Sequence, residues 1–235
     1  MGMPKKQMIP DIGCKSREGS EMSCHSENRE RKGNSILPVF DPNPSGRFVH
    51  SVLNETGAKG ILIGRLAVWV WLSEERKHAF TKDMDIAVTG EYLHRIRKWL
   101  NDRQIRYLEL EIGGINVDRP GQVNVDFITR CCAFGDFSPL FKDAIHYAAE
   151  YGETVEVGDD KLSVVSPEHL VAMKIGTGEK KDEDDAAALL GDAEIHIDNT
   201  RLIILKFLGP GSLSRFEVML RKIGHPDAKA TYKDS

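Results

Sequence analysis

The sequence predicts an α+β domain, with a mixed β-sheet flanked by helices and a helical C-terminal part. Between residues 60 and 129, short apolar stretches with period-two alternation are interleaved with helical patterns. From Ser166 to Gly224 the pattern is largely helical. A composition of 40% hydrophobic and 29% charged residues over 235 positions suits one moderate-sized globular domain with a tail.

Residues 1–36 are rich in Lys, Arg, Glu, Ser, Gly and Asn, with Ile9, Ile12 and Ile36 as their large aliphatic residues besides methionines. So little apolar surface does not offset the entropy of ordering, and a disordered tail is expected. The tail carries a net +2, leaving −6 on the remainder. The Pro-rich stretch 37–46, LPVFDPNPSG, leads into an α/β core expected over 37–165. Within it, 45–55 predicts a helix stopped by Gly57, 60–63 a buried strand, 66–75 a second helix and 84–88 a strand. Residues 91–102 form an amphipathic pattern, Leu93, Ile96, Trp99 and Leu100 facing the core and Arg95, Arg97 and Lys98 facing water. Alternation over 105–112 and 115–118 about Gly113-Gly114, then over 122–129, predicts a meander of strands. A helix follows at 137–151, and a hairpin pairs 154–157 with 162–165. Ser166 as N-cap, Pro167 at the first helical position and Glu168 in the first turn open a helical part over 166–224 of the same domain. Gly209-Pro210-Gly211 should break its last two helices, and Tyr147, Tyr151 and 201–208 are expected in the helical core. Residues 225–235 read as a flexible tail.

Several function classes are excluded or disfavoured. The longest apolar run, 61–72, is interrupted by Gly64 and Arg65 and falls short of the roughly 20 residues of a membrane span. No secretory signal is readable at the start, so the expected compartment is the cytoplasm. Cys14, Cys24, Cys131 and Cys132 lack disulfide-scaffold number and C-x-x-C spacing, and read as reduced thiols. A net charge of −4 argues against a dedicated nucleic-acid coat.

The chemistry lies in carboxylates. In TKDMDIAV, Asp83 and Asp85 leave one face of a strand while Met84, Ile86 and Val88 point into the core. Adjacent like charges raise each other's pKa unless a cation sits between them, and Mg²⁺ takes one or two carboxylates while keeping other positions for water and phosphate. The plain alternative is a solvated pair closing a loop. In QVNVDFIT, Asp126 projects opposite Val123, Val125 and Phe127. Beside the first strand it would complete a three-carboxylate cluster able to hold two metals; otherwise it faces solvent with Asn124. The turn at Gly64 between strand and helix brings backbone N–H groups towards a bound anion. Lys174, on a helical face with Leu170 and Val171, either snorkels outward or meets an anion.

The ordered set, a strand ending in Gly, a helix, T-x-D-x-D, a later V-D-hydrophobic-hydrophobic strand and a P-E-H-L-x-x-x-K helix leading into K-D-x-x-D, resembles the DNA polymerase beta-like nucleotidyltransferase superfamily, of the AbiEii-like bacterial type. The resemblance covers about residues 60–190. It implies transfer of a nucleoside monophosphate from a nucleoside triphosphate to an acceptor hydroxyl, with two Mg²⁺ ions on Asp83, Asp85 and Asp126 as the catalytic and metal-binding residues. It assigns Gly64, Arg65, Thr81, Lys174 and Asp182 to the nucleotide, with Asp185 in a structural role. The acceptor could be RNA, protein or a small molecule, and the type admits an antitoxin-type partner. Two positions depart from the pattern: Arg65 where Gly or Ser follows the first Gly, and Ala79 where an Arg precedes the Thr. They motivate an alternative, a degenerate relative that binds nucleotide or a partner without turnover.

Overall fold

The structure, a computed structural model, describes residues 41–73, 81–131, 136–157 and 159–228. The expectations for the tail 1–36, for Ala79, and for Cys14, Cys24 and Cys132 lie outside them. A five-stranded mixed sheet runs in the order β1-β2-β5-β4-β3. Its strands are β1 (Gly60–Ile63), β2 (Asp83–Val88), β3 (Leu108–Glu109), β4 (Gly114–Val117) and β5 (Asn124–Ile128). The central pair β2-β5 is parallel and the other pairings are antiparallel. The fold is therefore α+β, as the alternating patterns predict.

The core face of the sheet is apolar by period: Met84, Ile86, Val88, Val125 and Phe127 are all 1% exposed or less. Helix α1 (Asn43–Thr56) lies on this face, with Leu53 approaching Ile86 around Gly60. Gly57 ends α1 in the left-handed region at φ 62°, as a C-cap glycine should. Helix α3 (Gly90–Asp102) buries Leu93, Ile96 and Leu100. Trp99 is not core as its spacing suggests. It sits half-buried between Phe48 and the Arg103 guanidinium, because its indole N–H needs an acceptor and finds Glu55 at 3.0 Å.

The opposite face is covered by α2 (Gly64–Trp71), α4 (Ser138–Tyr151) and α5 (Pro167–Thr177). Helix α2 starts two residues earlier than its apolar pattern suggests. The hairpin of β6 (Thr154–Val157) and β7 (Asp160–Ser163) packs on α1 and meets the edge strand β1, where Val164 forms a parallel bridge to Leu62. Ser166 caps α5 by accepting the His169 backbone N–H, so the cap read from S-P-E holds. Helices α6 (Lys180–Asp192) and α7 (Ile197–Lys222) complete the helical part. The break expected at Gly209 is a kink inside α7, where φ is 79°.

Two further expectations fail. The alternation over 105–112 yields only the two-residue β3. Tyr147 (40%), Tyr151 (71%), Leu202 (64%) and Leu205 (48%) are exposed rather than core, although Ile204 is buried. Helix α7 packs on α5 along one side only, so an all-round apolar stretch leaves residues facing out. Among the described residues no helix is long and apolar enough to cross a membrane.

Candidate active site

The parallel pairing of β2 with β5 sets Asp83 opposite Asn124 and Asp85 opposite Asp126. Because side chains alternate, all three carboxylates emerge on the face away from the apolar core. Asn116 on β4 stands opposite Asp126, and its Nδ2 donates to Asp126 Oδ1. Thr81 opens β2 with a tight turn, its hydroxyl donating to the Asp83 carbonyl at 3.0 Å. Burial, then the charges of Asp126 and Asp83, push the Asp85 carboxyl from 3.8 up to about 7, against the pull of Lys174 and Lys181. Burial likewise raises Asp126; the hydrogen bond from Asn116 opposes the rise and the charge of Asp83 adds to it.

Gly64 follows β1 and begins α2 at φ 67°, which favours glycine. A Cβ there would stand 1.9 Å from Asp85 Oδ2, so only glycine lets the helix N-terminus approach the carboxylate. The unbonded N–H groups of that first turn are the standard backbone donors for an anion.

Across the cleft, Lys174 does not snorkel. It is 9% exposed, donates to Asp182 Oδ1 at 2.6 Å and lies 2.9 Å from Asp185 Oδ2. Arg65 pairs with the other oxygen of Asp185 at 2.5 Å. Thr177 donates to Asp182 Oδ2 at 2.6 Å. Burial opposes ionisation of Asp182, but hydrogen bonds from Lys174 and Thr177 and the charges of Lys174 and Lys181 outweigh it and hold its pKa below the ordinary value. Arg65 thus neither blocks the glycine turn nor stands free for a phosphate: it is tied to α6.

These groups line one cleft of about 580 Å³. Gly64, Arg65, Thr81, Asp83, Asp85, Lys174, Asp182 and Asp185 all contribute to its wall; Asp126 stands beside Asp85 but does not. Among the described residues, no three His, Cys, Asp or Glu side chains form a preassembled metal-binding group. The three expected carboxylates share a face, yet Asp126 is engaged by Asn116. The chemistry of these oxygen donors fits a hard divalent cation on one or two carboxylates, with water and phosphate as its further ligands.

Sequence reasoning missed three features. Asn116 is the one polar residue of Gly114–Val117, and its alternation with Ile115 and Val117 was a readable signal. Arg130, two residues past β5, lines the cleft, its guanidinium 5.3 Å from the Phe137 ring centroid. Lys181 also reaches the wall. His169 serves the cap: Nδ1 is 2.8 Å from Ser166 Oγ and Nε2 is 3.1 Å from Asp143 Oδ2, while burial lowers its pKa against the pull of Asp143.

The sequence matches no protein-family profile and no curated protein. Among solved structures, the chain is similar to an antigenic nucleotidyltransferase-like protein from Paracoccidioides brasiliensis, at 14% identity and a TM-score of 0.47 over 81% of this chain and 94% of that one. It is also similar to the antibiotic-resistance factor ANT(2'')-Ia, at 12% identity and a TM-score of 0.44 over 78% and 99% of the two chains. A third similarity, to the lincosamide antibiotic adenylyltransferase LnuA, has 14% identity and a TM-score of 0.41 over 62% and 94%.

Proposed function

We propose that this protein is a nucleotidyltransferase that moves a nucleoside monophosphate from a nucleoside triphosphate to an acceptor hydroxyl, releasing pyrophosphate. The observation that carries the reading is the register of β2 with β5, which pairs Asp85 with Asp126 beside the glycine-led N-terminus of α2. In the reaction the acceptor oxygen bonds to the α-phosphorus, the bond from that phosphorus to the bridging oxygen breaks, and pyrophosphate leaves. Asp126, set beside Asp85 by the strand register, faces the attacking hydroxyl, and burial raises its pKa in the direction that suits a group taking a proton. The first-turn N–H groups after Gly64, with Thr81 and Lys181 on the wall, orient the triphosphate. Lys174 contributes positive charge from beneath, shared with Asp182. Mg²⁺, held by Asp83 and Asp85 with Asp126 beside them, would supply charge neutralisation at the phosphates.

The finer assignments, the AbiEii-like type and an antitoxin-type partner, rest on the order of sequence motifs alone. A cytoplasmic location belongs to the same proposal; among the described residues no helix is long and apolar enough to cross a membrane. The division into a core over 37–165 and a helical part over 166–224 belongs to the same proposal. A second reading, binding without turnover, is favoured by one observation: both Arg65 and Lys174 are already neutralised by α6.

Incubation of the protein with α-labelled nucleoside triphosphates and Mg²⁺ decides between them. Label should pass to RNA, protein or a small molecule from a cell extract, and Asp83→Asn should stop it. Calorimetric nucleotide binding without any transfer would select the second reading.

A further inference from the structure

The lining of the cleft is of two chemical kinds. Gly64, Asp83, Asp85, Lys181 and Asp182 supply its polar lining, and Ile112, Ile128, Phe137, Phe141, Leu170 and Met173 an apolar wall. Helix α5 contributes to both, Leu170 and Met173 to the apolar wall and Lys174 and Thr177 to the polar lining. Past the end of β5, whose outward face presents Asp126 and Ile128, Arg130 reaches the same cleft, about 13 Å of chain beyond Asp126.

Arg130 is held in place. Its backbone is left-handed at φ 51°, its N–H reaches the Gly113 carbonyl at 3.4 Å, and its carbonyl accepts from Phe137 N–H at 3.1 Å. Phe137 is seated too: a Cβ on Gly176 would stand 2.2 Å from its Cε1, so the bare backbone of α5 makes room for the ring. Among the described residues Arg130 makes no ion pair, unlike Arg65, Arg97, Arg103 and Arg201. A rigid aromatic wall beside an unpaired guanidinium recognises a planar anion on an apolar body. A triphosphate would leave the apolar wall unused, and a polyamine acceptor would meet Arg130 with like charge.

We propose that the apolar wall with Arg130 is the acceptor subsite and that the acceptor is a small organic acid with an apolar or aromatic body and a hydroxyl. Arg130 takes the carboxylate, the body lies on Phe137, Ile128 and Met173, and the hydroxyl reaches back to Asp126 and Asp85. Transfer then forms the bond from that hydroxyl oxygen to the α-phosphorus, passes the hydroxyl proton to a carboxylate and releases pyrophosphate. The acceptor role rests on the transfer reading above; the test of the subsite does not, because it uses no turnover.

The test is calorimetric titration of the full chain, without nucleotide, with 3-(4-hydroxyphenyl)propionate, the corresponding alcohol and tyramine. The acid should bind about tenfold or more tightly than the alcohol, and tyramine more weakly than either. Arg130→Gln should abolish the preference for the acid while leaving the alcohol unchanged, and Met173→Gln should weaken acid and alcohol alike. Equal affinities for acid and alcohol, or no effect of Arg130→Gln, overturn the proposal. So does displacement of the acid by adenosine or by a short RNA oligomer, which would make the apolar wall a base subsite. Acid binding through Arg130 in a protein without transfer activity would sink the enzyme reading and leave the subsite standing. Transfer activity without acid binding would do the reverse.

Discussion

On the sheet side of the cleft, Asp83, Asp85 and Asp126 stand together, and among the described residues no ion pair reaches them; the amide of Asn116 is the hydrogen-bond donor to Asp126. On the helix side, Asp182 and Asp185 share Lys174, and Asp185 also holds Arg65. The two groups lie in one cavity, yet the environment raises the pKa of Asp85 and lowers that of Asp182. Neutralised acids tie α2, α5 and α6 together. Carboxylates that are buried together and make no ion pair favour taking up a proton or a metal ion, which is the condition expected of a reacting centre.

The contrast breaks most visibly in turnover. Asp83→Asn or Asp85→Asn should cut label transfer by about a thousandfold or more, roughly 4 kcal/mol in barrier, while leaving metal-free stability equal or raised. Loss of folding in either variant, seen by circular dichroism, would place the sheet acids with the structural group.

The pH dependence should differ in sign between the two sides. Asp85 binds its proton more tightly folded than unfolded, so in chelator the protein should lose stability as pH rises from about 4 to about 7, by at most about 4 kcal/mol. Asp85→Asn should flatten that slope in urea titrations. Asp182 is the opposite case: its contribution is complete above the ordinary carboxylate pKa and disappears as pH falls through its lowered value. Asp182→Asn should therefore remove part of the acid lability and leave the neutral slope alone.

Among the neutralised acids, Asp185→Ala strips a counter-charge from buried Lys174, and equilibrium unfolding should show a cost of about 3 kcal/mol. The smallest change belongs to Arg65→Gln. Its side chain is 31% exposed, so about 1 kcal/mol or less is expected, with the fold kept.

The distinction was only half legible in the sequence. Period-two alternation is strong in DMDIAV and NVDFI, so the faces of β2 and β5, and hence the direction of Asp83, Asp85 and Asp126, could be read locally. That the two strands are parallel neighbours could not, because 35 residues separate them and pairing is a long-range event. Lys174 shows the same limit. Helical spacing put it among apolar neighbours, but its partners come from the following helix, whose docking no local pattern states. Tyr147 and Leu202 failed in the opposite direction: apolar residues in a helix were read as core when that face has no covering layer.

The pairing of Asp85 with Asp126 also makes the spacing of the acids discontinuous. A slip of β5 by one residue would carry Asp126 into the interior and turn Val125 and Phe127 outward, at a cost of several kcal/mol for the carboxylate alone. A slip by two would move it a whole 6–7 Å along the strand. No intermediate arrangement exists, so apolar side chains on the far side of the sheet act as proofreaders of a geometry they never touch. Conservative changes at Phe127 should then lower the amount of folded protein without altering the pH profile or nucleotide preference of what remains folded.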